Sequence, residues 1–287
     1  MSVKLGNTGI NKLYLGATEI NKAYLGSTLV YSGVAESRFV ISVKTDNTGT
    51  STDLQFTIPT NASGTTGFNY DIETSDGQSI TGVTGDTTIT FPSAGTYDIF
   101  ISGDFPRMFF NNGGDKLKLL EIKNFGIYAS GSTVQREAFH GCSNMDISAT
   151  DSGNFGNVTS FNETWEDCSS ITSFPLIDTS SGETFFDCWR NCSGLTSFPL
   201  IDTSSGTNIQ RTWNGCSGLT SFPLIDTSSA TTFSQCWQNC SSLTSFPANA
   251  FDTNIATNYS NSFLNTNLTT QSIDNILVSL DAGGVSN

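Results

Sequence analysis

Glu163, Glu166 and Asp167 crowd into one short stretch, and neighbouring carboxylates are the groups from which general acid–base or metal-assisted chemistry is built. Here they lack the usual partners. The chain has a single histidine, His140, no histidine-based triad and no glycine-rich phosphate loop, so the three acids are expected to form a solvated face. No catalytic or cofactor-binding residue is assigned, and an enzyme is not expected. Seven cysteines, all beyond residue 141, are the other reactive groups. Cys188/Cys192 and Cys236/Cys240 are four apart, a poor spacing for a disulfide on a helix. A zinc site would want a second close pair or more histidines. The cysteines are therefore expected to be buried and reduced, acting as small hydrophobes.

These residues sit on a repeat. Leu-Thr-Ser-Phe-Pro-Leu-Ile-Asp-Thr-Ser-Ser recurs from Ile171, Leu195 and Leu219, with a partial copy at Leu243–Pro247, a step of 24 residues. Trp165, Trp189, Trp213 and Trp237 keep that step, as do Cys168, Cys192, Cys216 and Cys240. Such a period predicts a solenoid, in which each coil covers its neighbour's open core. Leu195, Phe198 and Leu200 follow L-x-x-L-x-L, which predicts one short strand per coil. Phe233, Cys236, Trp237 and Cys240 fall at i, i+3, i+4 and i+7, which predicts a short helix. The tryptophans should form one column. Burying five large apolar groups per coil yields roughly 10 kcal/mol, less than ordering two dozen residues costs, so no coil should fold alone. His140 aligns with Glu166, Arg190, Asn214 and Gln238, a variable position expected to be exposed and not to bind metal. No metal site is assigned, with one weak candidate. Asp178, Asp202 and Asp226 would lie about 5 Å apart and repel by about 0.8 kcal/mol per pair in water. Asx-type hydrogen bonds to the following Thr and Ser would offset that, or calcium would bridge the carboxylates.

The pattern Phe-x-x-Cys-Trp-x-x-Cys-Ser-x-Leu-Thr-Ser-Phe-Pro resembles the BspA-like leucine-rich repeats of bacterial surface proteins and of phage tail or fibre proteins. The stretches 95–112, 114–120 and 138–144 fit the same family, so the resemblance spans about two thirds of the chain. It implies adhesion or display, and no chemistry.

Before the repeats the chain changes character. Residues 1–33 carry a shorter repeat, Leu-Gly-x-Thr from Leu5, Leu15 and Leu25, expected as three short strands. This segment resembles the N-terminal module of many phage virion proteins. Three short strands cannot bury themselves in water, so they need a partner: another copy in a homo-oligomer such as a trimer, other virion proteins, or the next domain. Residues 34–103 predict an all-β sandwich with strands near 39–43, 54–58, 70–72, 79–81, 87–91 and 96–101. Ser93-Ala-Gly-Thr-Tyr-Asp-Ile resembles the last strand of a PKD-like immunoglobulin-type domain, although Thr74-Ser-Asp-Gly stands where that family has Trp-Gly-Asp-Gly. Residues 104–287 complete the chain as the solenoid, with the 24-residue repeats at 158–251. Ile273, Ile276, Leu277 and Leu280 predict a capping helix over about 270–282, started by Thr269 or Thr270 and ended by Gly283-Gly284. The expected fold class is thus mainly β with short helices: a β module, an Ig/PKD-like sandwich and a leucine-rich-repeat solenoid.

Net charge is −14. Residues 137–287 hold only Arg190 and Arg211 against fourteen acids, which argues against nucleic acid and anionic membrane as partners. No apolar run reaches membrane-span length, and the start has no apolar signal region. That points to a virion protein made in the host cytoplasm rather than to a secreted adhesin. Differences between repeats collect on the predicted helical side: Phe186, Asp187 and Arg190; Gln210, Arg211 and Asn214; Ser234, Gln235 and Gln238. This face, with the loops of the β-sandwich, is expected to bind a host glycan or protein, with Arg190 and Arg211 pairing to carboxylates or phosphates. The expected function is a tail-fibre adhesin. Alternatives are a virion structural or head-decoration protein without a receptor, and a bacterial surface adhesin.

Overall fold

A computed structural model describes residues 37–284 and, ahead of them, four short strands. β1 (Leu13–Leu15) pairs antiparallel with β2 (Thr18–Ile20), and β3 (Lys22–Leu25) with β4 (Thr28–Ser32). The expected three-strand module is therefore two hairpins, and the rest of its predicted span lies outside the described residues. Met1–Ser37 and Arg38–Asn287 are separate compact units.

The second unit begins with β5 (Phe39–Lys44), whose Phe39, Val40, Ile41, Ser42 and Val43 are all buried. Apolar side chains on both faces suit a central strand. β6 (Gln55–Ile58), β7 (Asn69–Thr74), β8 (Ser79–Val83), β9 (Thr87–Thr90) and β10 (Thr96–Asp104) follow. β7 alternates strictly, with Tyr70, Ile72 and Thr74 inward, as a strand with one solvated face should. Gly103 has φ 88°, and a Cβ there would lie 2.6 Å from the Asn69 carbonyl oxygen, so only glycine fits. β11 (Leu119–Asn124) pairs antiparallel with β5, and β12 (Asp146–Ile147) pairs parallel with β11. The result is a six-stranded mixed sheet of order β12-β11-β5-β10-β7-β8, with β6 and β9 forming a separate two-stranded sheet.

The buried Lys118 and Asp115 fasten the loop before β6. Lys118 Nζ donates to the carbonyls of Ser51, Thr52 and Gln55 at 3.1, 2.7 and 2.9 Å. Asp115 accepts the backbone N–H groups of Thr50, Ser51 and Thr57. The two charges are thereby matched by backbone dipoles of opposite sign.

The expected fold class is overturned at two places. An Ig/PKD-like sandwich closing at residue 103 is not formed, because β11 and β12 from the following segment complete the same sheet that β5 starts. Nor do the repeats build a leucine-rich-repeat solenoid of one strand and one helix per coil. Between β12 and the C-terminal helix α1 (Thr270–Ala282), the only regular element is the 3-10 turn Phe155–Asn157. The repeats are runs of tight turns. They touch through single parallel bridges, Val134↔Ser160↔Thr184↔Asn208↔Thr232↔Asn258, and one further bridge, Ser221↔Ser245. Leu200, expected inward as the third apolar residue of a strand, is 61 % exposed, while Phe198 and Ile201 are buried.

Aromatic rings hold these turns in register. Trp165, Trp189, Trp213 and Trp237 stack face to face, with centroids 5.5, 5.9 and 5.8 Å apart. Phe174, Phe198, Phe222 and Phe246 form a second column at 6.1, 6.1 and 5.7 Å, edge-on to the first. At the far end Phe263 stacks on Trp237 at 5.1 Å. Helix α1 starts at the Thr269 cap, whose side chain accepts from the Ser272 backbone N–H. It faces inward with Ile276, Ser272 and Ser279. Ser272 Oγ and Ser279 Oγ accept the N–H groups of Phe246 and Phe251, while Ile273 and Leu277 remain exposed.

Trp213 is fully buried between two indoles and two phenylalanine edges. Trp213→Ala should therefore cost about 3–5 kcal/mol, because rings on both sides lose a contact that cannot close up. A denaturant midpoint equal to that of the wild type would contradict the stacked column.

Candidate functional site

The variable face is built by two successive four-residue turns per repeat. In one repeat the Cys188 N–H donates to the Phe185 carbonyl and the Cys192 N–H to the Trp189 carbonyl. The third residue of each turn is left-handed, Asp187 at φ 54° and Asn191 at φ 59°. The same two positions are left-handed at Glu137 and Gly141, Glu163 and Asp167, and Gln235 and Asn239. Positive φ at these sites precludes the predicted helix, yet places Phe, Cys, Trp and Cys inward with the same spacing of three and four. Alternate backbone N–H groups then point along the stack. Phe161, Glu163, Trp165 and Asp167 donate to the carbonyls of Thr184, Phe186, Cys188 and Arg190 in the next repeat.

The cysteines are free and buried. They also serve as donors. Cys168, Cys192, Cys216 and Cys240 direct Sγ to the Phe139, Trp165, Trp189 and Trp213 carbonyls at 3.1–3.2 Å. At the other position Thr164, Thr212 and Ser262 use a hydroxyl for the same purpose, and Cys236 a thiol. Burial pushes the thiols well above their usual pKa, to about 12 for Cys240. The exchange of Thr with Cys at one repeat position was the sequence signal for this role.

Side chains on the variable face bond to one another across repeats. Arg190 pairs with Glu166, and Arg211 Nη2 lies 2.6 Å from Asp187 Oδ2, with its guanidinium 4.6 Å over the Phe186 ring. Asn214 donates to Gln238 Oε1 at 3.1 Å and to the Gln235 carbonyl at 3.3 Å. Gln210 is half-buried, and its backbone N–H donates to Asn208 Oδ1. Ser234 is buried and its carbonyl accepts the Arg211 N–H. Glu166, Asp187 and Asn214 are buried as well, whereas Phe186, Arg190, Gln210, Arg211, Gln235 and Gln238 are half-buried. Arg190 and Arg211, expected to receive an external anion, are thus already paired within the protein. Burial raises the pKa values of Asp187 and Glu166 against the pull of their arginines.

His140 lies in the same face rather than free in solvent. Its Nδ1 is 3.9 Å from Glu163 Oε2, and its Nε2 is 3.7 Å from both Glu166 Oε2 and Asp167 Oδ2. Burial opposes the charged ring, but the three acids outweigh it and hold the imidazole pKa above its usual value. Asp167 is lowered chiefly by its bond to His140, with burial opposing. The three acids that the sequence places on a solvated face therefore converge on the one histidine.

The regular face presents the exposed Asp178, Asp202 and Asp226 column. Each Oδ1 accepts from a backbone N–H two residues on, those of Ser180, Ser204 and Ser228. These are Asx turns, and the hydrogen bonds to Ser204 lower the Asp202 pKa. Beside them Leu176, Leu200 and Leu224 project outward. A shallow groove of about 380 Å³ runs between Ser152, Leu176, Asp178, Leu200 and Asp202. No helix among the described residues is long and apolar enough to cross a membrane. No protein-family model, curated protein or solved structure matches the chain.

Because Asp187 is buried, Arg211→Ala should destabilise the protein by about 2–3 kcal/mol, less than for a fully buried pair because the arginine is partly exposed. The double variant Arg211→Ala/Asp187→Ala should recover part of that loss. An unchanged melting temperature in the single variant would show the pair to be inert.

Proposed function

We propose that the chain is a non-enzymatic virion protein of the phage tail-fibre type, attached through its N-terminal module and presenting its repeats to the host surface. The resemblance of the repeats to tail and fibre proteins supports this reading, as does the regular exposed face. Leu176, Leu200 and Leu224 are 62, 61 and 50 % exposed at a fixed 24-residue step, each two residues before an exposed aspartate. Thr172, Thr196, Thr220 and Thr244 continue the same ladder in solvent. Exposed leucines contribute nothing to the core, and a row of them is a contact surface in waiting.

A ladder of identical groups suits a ligand that itself repeats. Carboxylates and hydroxyls accept and donate to sugar hydroxyls, while leucines cover the apolar faces of pyranose rings, so a host surface polysaccharide is the proposed ligand. The charged face is a poorer site, since its arginines already have partners. The leucine row also favours a second reading, a structural or decoration protein that lies flat against another virion component.

The test is binding of the full-length protein to an array of bacterial surface polysaccharides and to bacterial cells. The triple variant Leu176→Ser/Leu200→Ser/Leu224→Ser should lose binding with its melting temperature little changed, because half or more of each side chain is already in solvent. Absence of wild-type binding to any glycan or cell, together with copurification of the protein in intact particles, would favour the structural reading.

A further inference from the structure

We propose that His140, Glu163 and Glu166 bind a divalent cation of the zinc class, with one ring nitrogen and one oxygen from each glutamate as ligands. These three atoms lie within 4.8 Å of one another. Tetrahedral zinc with bonds of about 2.0–2.2 Å needs ligand atoms somewhat over 3 Å apart, so side-chain rotations of about 1 Å close the site.

The surrounding bonds favour a ligand over a merely crowded set of charges. Each acid has one oxygen committed elsewhere and the other turned to the imidazole. Glu166 gives Oε1 to Arg190 and leaves Oε2 toward His140. Glu163 has Oε1 at 4.0 Å from Arg136 and Oε2 toward Nδ1. Asp167 accepts from Asn191 on Oδ1 and faces Nε2 with Oδ2. Carboxylates fixed by outer partners, with the free oxygen aimed inward, are how metal ligands are oriented. His140 Nδ1 is also buried and has no hydrogen-bond partner. A buried polar atom left so is costly, and a metal bond would satisfy it.

Charge agrees. Glu137, Glu163, Glu166 and Asp167 face Arg136 and Arg190 around a ring that is neutral when it ligates, an excess that matches a dication. The imidazole selects zinc-like ions over calcium or magnesium, which take oxygen alone. With Nδ1 as the ligand, Asp167 would orient the ring through Nε2, Glu166 Oε2 would turn from Nε2 toward the metal, and water would fill the remaining positions on the exposed side. The inference does not depend on what the regular face binds.

Calorimetric titration of the chelator-treated full-length protein with zinc chloride, at about pH 8 where protons compete less, tests it. A single equivalent should bind. His140→Ala and Glu163→Gln should each weaken binding by about tenfold or more, with the metal-free melting temperature of Glu163→Gln near that of the wild type. Glu163 is the safer substitution for folding because its side chain reaches solvent. Cobalt(II) substituted for zinc should show ligand-field bands without thiolate charge transfer. The proposal fails if zinc does not bind, if both variants bind as tightly as the wild type, if calcium binds as tightly as zinc, or if cobalt reveals thiolate ligands.

Discussion

The repeat region depends on two left-handed residues in each turn pair. An L-residue at positive φ costs about 1–2 kcal/mol unless it is glycine or gains a local partner, and most of these positions are Glu, Asp, Asn or Gln. What offsets the cost is the direction it gives to the backbone. With Asp187 and Asn191 left-handed, Phe185, Asp187, Trp189 and Asn191 all aim their N–H groups at the next repeat, where four carbonyls receive them. The thiols and hydroxyls of Cys192, Thr212 and Cys216 then occupy carbonyls facing the other way. Backbone polarity is thereby satisfied without a helix or a strand ladder, which allows the repeats to come close enough for indoles to stack.

The same constraint shapes the two faces. Because side chains beside the left-handed residues are drawn against the next repeat, unlike groups there find one another: Arg190 with Glu166, Arg211 with Asp187, Asn214 with Gln238. Variation along that face is explained by pairing within the protein. The regular face has no such closure. Its Asx turns use one oxygen of each aspartate and leave the leucines between them in water.

Much of this was legible in the residues. The 24-residue step, the tryptophan column and the Thr269-capped helix could all be read, as could the six strands between residues 39 and 104. The helix within each repeat could not. Apolar residues at i, i+3, i+4 and i+7 fit one face of a helix, and they fit two tandem four-residue turns equally well. The discriminating signal was a different column, Gly141, Asp167, Asn191, Gly215, Asn239 and Asn265, composed wholly of residue types that tolerate positive φ. Its partner column, with Glu137, Glu163, Asp187, Arg211 and Gln235, carries little such preference and is imposed by the stack. The domain edge at residue 103 was illegible for another reason. Strand β11 belongs to the first sheet by pairing with β5, some eighty residues earlier, and no local pattern encodes so distant a partner. The convergence of three acids on His140 was hidden likewise, since it needs the register between neighbouring repeats.

Site-resolved native-state hydrogen exchange examines the central claim most directly. The stretch from Phe161 to Asn239 has no regular helix or strand, so an ordinary loop there would exchange its amides almost at once. The account predicts that the amides of Phe185, Trp189, Asn191 and Trp213, which donate between repeats, are protected as strongly as those of β5 and β10. Rapid exchange at these four positions, alongside a protected sheet, would contradict it.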